Sequence, residues 1–279
     1  MPLRDLLVVV DSSAASDNRI EVAAGLAAEH EAHLAGLYIL PIPEADRHLR
    51  PTLIDAIIDL CIREEKELAC QAHRKFETAI KRHGIEGEWR TAGGFPSEEA
   101  AVHARYADVA IVGQLDPAMR GRVMPPLLPE EIALAAGRPV LITPVAWTRA
   151  KIGSRVIVAW NAAREASRAV NDALPILQRA ASVIVLVVNP EQRIMAPHGE
   201  QPGADITLHL ARHGIKAEVE VVVSPERDPS DTLRSKAEEL HADLIVMGAY
   251  GHSRARELIL GGVTRDLLRY MNVPVFMSH

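Results

Sequence analysis

"DLIVMGAYGHSRARELILGGVTRDLL" (residues 243–268) begins with a short apolar run, 243–247, that ends at Gly248. A charged, arginine-rich stretch follows, then Gly261 and Gly262, then a segment whose Val263, Leu267 and Tyr270 share one helical face. An apolar run of this length, closed by glycine and followed by helical spacing, predicts strand, loop and helix in turn. The same plan stands earlier in the chain as "DVAIVG" (108–113). Asp108/Asp243, Gly113/Gly248 and Pro139/Pro274 share one offset of 135. At the front Asp11 matches Asn161 with an offset of 150, and the 15-residue difference falls where the first copy has its longer helix. A constant offset over some thirty residues marks an internal duplication.

The other segments fall into this frame. In the first copy "LLVVVD" (6–11), "LAGLYIL" (34–40), "EGEWRTA" (86–92), "DVAIVG" (108–113) and "PVLIT" (139–143) read as strands. Helical patterns lie between them at 17–30, 52–82, 97–106 and 128–136. The second copy has strands at "RVIVAWN" (155–161), "SVIVLVV" (182–188), "AEVEVVV" (217–223), "DLIVMG" (243–248) and "PVFMS" (274–278). Strands alternating with helices of this length imply βαβ units and parallel sheets. The expected fold is α/β, with two repeated domains at 1–147 and 153–279. Each is an open five-stranded parallel sheet with helices on both faces. The join lies near "VAWTRAKIGSR" (145–155).

Composition bounds the function. The 279 residues are 48% hydrophobic and only 4% aromatic, so the core is aliphatic, as in buried parallel sheets. A net charge of −6 argues against a nucleic-acid partner, which calls for a basic face. The two cysteines, Cys61 and Cys70, are nine apart on a predicted helix and point to opposite sides, too far apart for a disulfide. A reducing cytoplasm is the expected home. The apolar run before Asp11, residues 6–10, is only five residues long, and no run elsewhere approaches 18, so a soluble chain with no membrane partner is expected.

Glycines in a strand-to-helix loop can serve simply to turn the chain. They can also let backbone amides approach an anion, and unpaired amides at a helix N-terminus suit phosphate. Thr264 adds a hydroxyl, Arg254 and Arg256 add charge, and His252 sits inside the stretch, as a loop partner or a phosphate contact. The first copy has Asp116, Pro126 and Leu127 where the second has Gly251, Gly261 and Gly262, and proline removes an amide donor. A phosphate site is therefore expected in the second copy alone. No GxxxxGK[ST] and no GxGxxG after the first strand is present.

The spacing Gly248-x2-Gly251-x9-Gly261, five strands per copy and the Asp-containing end of the first strand resemble the universal stress protein family, and nearly the whole chain resembles a tandem member. The resemblance implies an adenine nucleotide α-hydrolase-like fold and an ATP site, with Mg²⁺ bridging the phosphates. It places the base at Asn161 and Val188, with Met247, Gly248, Gly251, His252, Gly261, Gly262, Val263 and Thr264 completing the binding set. Two residues depart from the family pattern. Gly262 stands where the family has Ser or Thr, which loses a hydroxyl worth about 0.5–1.5 kcal/mol but keeps the amide. Asn161 stands where the family has Asp, so an amide replaces a charge. The resemblance further implies a pseudo-dimer of the two domains through their last strands, 139–143 and 274–278; two chains can associate further.

Other constellations name no reaction. His209 and His213 are four apart on one helix face, a metal-ligand spacing without a third ligand. Ser12, Ser13 and Ser16 lack a GxSxG elbow and read as helix-start residues. No residue is placed as a general base for ATP hydrolysis. Two functions remain: a nucleotide-responsive stress or signalling protein, or a degenerate member that binds no nucleotide and acts as a protein-interaction module.

Overall fold

Each of the ten predicted strands forms in the computed structural model, with boundaries within two residues of those expected. The structure describes residues 2–41, 51–116, 127–190, 201–249 and 262–279. The first half runs β1 (Asp5–Val10), α1 (Ala15–His30), β2 (His33–Pro41), α2 (Pro51–His83), β3 (Gly87–Gly94), α3 (Pro96–Ala104), β4 (Val109–Gly113), α4 (Pro129–Ala135) and β5 (Val140–Thr143). The second runs β6 (Arg155–Ala159), α5 (Arg164–Leu177), β7 (Ser182–Val188), α6 (Ala204–Arg212), β8 (Ala217–Val222), α7 (Pro229–Glu239), β9 (Leu244–Gly248), α8 (Val263–Tyr270) and β10 (Val275–Ser278).

The strands make one sheet in the order β3-β2-β1-β4-β5-β10-β9-β6-β7-β8. Within each half all neighbours are parallel, and the halves meet where β5 and β10 pair antiparallel, Val275 opposite Ile142 and Met277 opposite Val140. Right-handed crossovers send α1 and α2 to one face of the first half and α3 and α4 to the other. The helix contacts agree: α1 packs on α2, α3 on α4, and α7 on α8. Central strands are covered on both sides, so β4 and β5 are buried at every position. Among the described residues no helix is long and apolar enough to cross a membrane.

The residues that revealed the duplication have structural reasons. Asp108 Oδ2 accepts from the backbone N–H groups of Arg4 (2.7 Å) and Asp5 (3.1 Å). Asp243 does the same in the second half, taking Ser154 N at 3.1 Å and Arg155 N at 3.0 Å. Each carboxylate staples the start of its half's first strand to the start of the fourth. Asp243 is only 8% exposed, so Asp243→Ala orphans two backbone donors. The expected cost is about 2 kcal/mol, read as a lower urea midpoint at unchanged slope.

Candidate functional site

The strand order reverses between β6 and β9, since β7 and β8 lie on one side of β6 and β9 on the other. Loops leaving the carboxyl ends of two such strands diverge and open a crevice, where open α/β sheets bind ligands. A cavity of about 270 Å³ occupies it. Ala159, Trp160 and Asn161 line it from the end of β6, Leu186, Val188 and Asn189 from β7, and Met247 and Gly248 from β9. Pro229 and Leu233 of α7 and Val263 of α8 complete the wall.

Five of the ten predicted binding residues thus meet in one place: Asn161, Val188, Met247, Gly248 and Val263. Gly262 is the N-cap of α8, directly before Val263. Thr264 is buried at 4% exposure and does not line the cavity. Gly251, His252 and Gly261 lie outside the described residues, as do Arg254, Arg256 and Pro126. Sequence reasoning missed Trp160, Asn189, Pro229 and Leu233. A signal for α7 was present in "DPSD" (228–231), where Asp228 accepts from Ser230 N at 2.7 Å and proline takes the first helical position.

Asn161 stands two residues beyond β6, in a tight turn. Its Oδ1 accepts from Ala163 N at 3.0 Å, so among the described residues the Nδ2 donor is the polar group it has left for a ligand. The turn passes through Ala162 at φ 57°, a left-handed conformation that costs a non-glycine residue about 1 kcal/mol. Asn189 also has positive φ, at 49°. Its side chain is spent inside the protein: Nδ2 donates to Ser224 O at 3.1 Å and Oδ1 accepts from Ser224 N at 2.6 Å. The two asparagines therefore do different work, Asn189 fixing the wall and Asn161 offering its amide to the cavity.

Gly248 has a cause the sequence does not show. A Cβ placed there would lie 2.5 Å from Ala166 N and 2.6 Å from Glu165 C, at the start of α5. Close packing of a helix on the strand end requires this glycine whether or not a ligand binds. Glu165 itself is 5% exposed. Burial pushes its carboxyl up, but Arg164 Nε at 2.5 Å, its own backbone N–H and the His279 charge hold it below the usual range.

The first half carries different groups at the corresponding strand ends. Asp11 Oδ1 accepts from Ser13 N at 2.8 Å, the counterpart of the Asn161 turn, while its Oδ2 takes Arg19 Nη2 at 2.6 Å. Arg19 is 2% exposed and lies against Gly113, where an added Cβ would overlap its Nη1. At an offset of 150 its counterpart is Ala169. Among the counterparts of the cavity wall, Val10, Ile39, Ala100 and Val112 are buried. Elsewhere the His209 and His213 rings lie 4.7 Å apart, but no group of three metal-ligating side chains occurs among the described residues.

Residues 154–279, which hold this cavity, match the sequence model of the universal stress protein family. This half of the chain belongs to that family. Two curated relatives are a universal stress protein, Slr1230, of Synechocystis and the stress response protein NhaX of Bacillus subtilis. The first is 38% identical over 66 residues, 24% of this chain and 22% of that protein. The second is 26% identical over 91 residues, 33% of this chain and 53% of that one. The matches thus span about a fifth and about half of the relatives' lengths. A universal stress protein from Archaeoglobus fulgidus is similar in fold along the whole chain, with a TM-score of 0.73, 20% identity, and 98% of this chain and 95% of that one covered. The universal stress fold therefore extends over the first half as well, while the cavity lies in the half that the family model matches.

Proposed function

We propose that the chain is a tandem universal stress protein of two domains, 1–147 and 153–279, packed as a pseudo-dimer through β5 and β10, and that the second domain binds an adenine nucleotide. The observation that carries this is the cavity at the β6/β9 switch point, which gathers Asn161, Val188, Met247, Gly248 and Val263. At about 270 Å³ it lies near the lower end of ligand pockets, roughly 300–1,000 Å³, a size for a base and sugar with the phosphates leaving toward the start of α8. Its apolar wall suits a purine face, and Asn161 Nδ2 suits a ring nitrogen acceptor. Amides of the Gly248–Thr264 segment take the phosphates of ATP, since helix N-terminal N–H groups are unpaired and carry partial positive charge. Mg²⁺, when bound, neutralises those phosphates through oxygen contacts. The cavity's own residues supply shape and donors rather than a base for hydrolysis, which makes the chain a binding protein of the cytoplasm whose nucleotide state is read by a partner.

Titration calorimetry with ATP and Mg²⁺ tests this. Val263→Trp sets an indole into the cavity and is expected to weaken binding about 20-fold or more while the fold is kept. Absence of heat from the unmutated chain would reject the nucleotide reading. It would leave the other one, a degenerate member acting as a protein-interaction module, which the departures at Asn161 and Gly262 favour.

A further inference from the structure

Gln114, the first residue beyond β4 in the half without the cavity, spends its side chain on the other half. Its Nε2 donates to Leu268 O at 2.8 Å and to Arg269 O at 3.0 Å, both in the last turn of α8. Its Oε1 accepts from Val145 N at 3.1 Å, and its backbone N donates to Thr143 O at 2.8 Å. The residue is therefore anchored in its own half while it grips the C-terminus of a helix in the other. The N-terminus of that helix is capped by Gly262 and begins with Val263, which lines the cavity.

The last carbonyls of any α-helix have no partner inside it. α8 is only eight residues long, and its C-cap, Met271, is extended rather than a left-handed glycine that would close the turn on itself. A helix this short is not stable alone, so contacts at its ends decide where it sits. Within its own half α8 is held by the Arg234 guanidinium over the Tyr270 ring, and beyond its end Asn272 Nδ2 donates to Glu238 Oε1 at 2.7 Å. Gln114 adds a hold from the first half. The counterpart of Gln114 at offset 135 is Ala249, whose side chain has no donor, and the second half reaches the end of α4 differently, through Arg168 Nη2, which donates to Gly137 O at 2.9 Å.

We infer that Gln114 is a positioning residue through which the first half sets α8, and with it the affinity of the second half for nucleotide. The inference rests on the nucleotide reading of the cavity. It gives the degenerate first half a role of its own. That half braces the phosphate-side helix of its neighbour.

Three substitutions separate a brace from mere filling. Gln114→Leu removes both donors at similar volume. Gln114→Glu also removes them and sets a negative charge against carbonyls that already carry the negative end of the helix dipole. Gln114→Lys keeps donors and adds a favourable charge, losing only the contact with Val145 N. Calorimetric titration with ATP and Mg²⁺ is expected to show binding about fivefold weaker for Gln114→Leu and about tenfold weaker for Gln114→Glu, with Gln114→Lys within twofold of the unmutated chain. Amide hydrogen exchange over 263–270 is expected to quicken in the first two variants and not in the third. Unchanged affinity in Gln114→Leu and Gln114→Glu overturns the coupling alone, as does a Gln114→Lys as weak as Gln114→Leu. No binding by the unmutated chain overturns the nucleotide reading and the coupling together, and the exchange data then report only whether Gln114 caps α8.

Discussion

Asp11→Asn is expected to destabilise the chain by about 2–3 kcal/mol, because it strands the charge of Arg19 inside the protein. The guanidinium is 2% exposed and its Nε has no partner among the described residues, so the Asp11 carboxylate at 2.6 Å is what compensates it. Breaking a fully buried pair by removing one partner costs about 3–5 kcal/mol. The Asp11 side chain is 41% exposed, so water screens the pair and the expectation sits below that range. Asparagine keeps the turn, since its oxygen can still accept from Ser13 N as Asn161 does from Ala163 N. The loss is therefore one of charge and not of local geometry.

The second half gives the control. There Asn161 is paired with Ala169 where the first half pairs Asp11 with Arg19, so each half is self-consistent. Asp11→Asn combined with Arg19→Met removes the stranded charge and fills most of its volume, and the pair is expected to recover more than half of the loss. Urea unfolding at pH 7 measures all three. The pH dependence has a definite sign. Burial pushes the Asp11 carboxyl up, but Arg19 and the hydrogen bonds of Ser13 outweigh it and hold the carboxyl below its ordinary value of 3.8. A depressed carboxylate stabilises the fold above its unfolded pKa and loses that contribution as pH falls through the folded one. The gap between the unmutated chain and Asp11→Asn should therefore be full at pH 7 and narrow below about pH 4. An equal gap at both would mean that the substitution acts through packing.

Arg19 also marks the limit of what could be read from the residues. Strand positions were legible because a sheet covered on both faces needs continuous apolar runs, and the duplication because Asp108 and Asp243 perform the same staple. An arginine on a helix beginning "ASDNR" reads as solvated, since arginine is almost never buried unless paired, and its partner lies eight residues away. Only the approach of α1 to Gly113 shows that it is inside. The cavity was half legible for a related reason. Asn161, Val188 and Met247 end strands that periodicity reveals, whereas Pro229 and Leu233 come from a helix that reaches the site through the fold. Gly248 has a second cause, the packing of α5 against it, which no pattern along the chain reveals.

That second cause makes the two equivalent glycines a test of which half carries the site. Gly248→Ala puts a methyl 2.5 Å from Ala166 N and 2.6 Å from Glu165 C, and because these are backbone atoms at the start of a 14-residue helix, α5 must move as a body. Forced overpacking costs about 1–3 kcal/mol, and a rigid neighbour places this site at the upper end, about 6–12 °C in Tm. Gly113→Ala meets instead the Arg19 Nη1, the far end of a side chain, though one tied to Asp11. The guanidinium can shift along that bond, so about 2 kcal/mol is expected. Both substitutions destabilise, and only one touches the cavity, which Gly248 lines. Below the transition of either variant, Gly248→Ala should lose ATP binding by at least tenfold while Gly113→Ala keeps it within twofold. Equal losses in the two variants would mean that the first half contributes a site of its own, and the assignment of the nucleotide to the second half would fail.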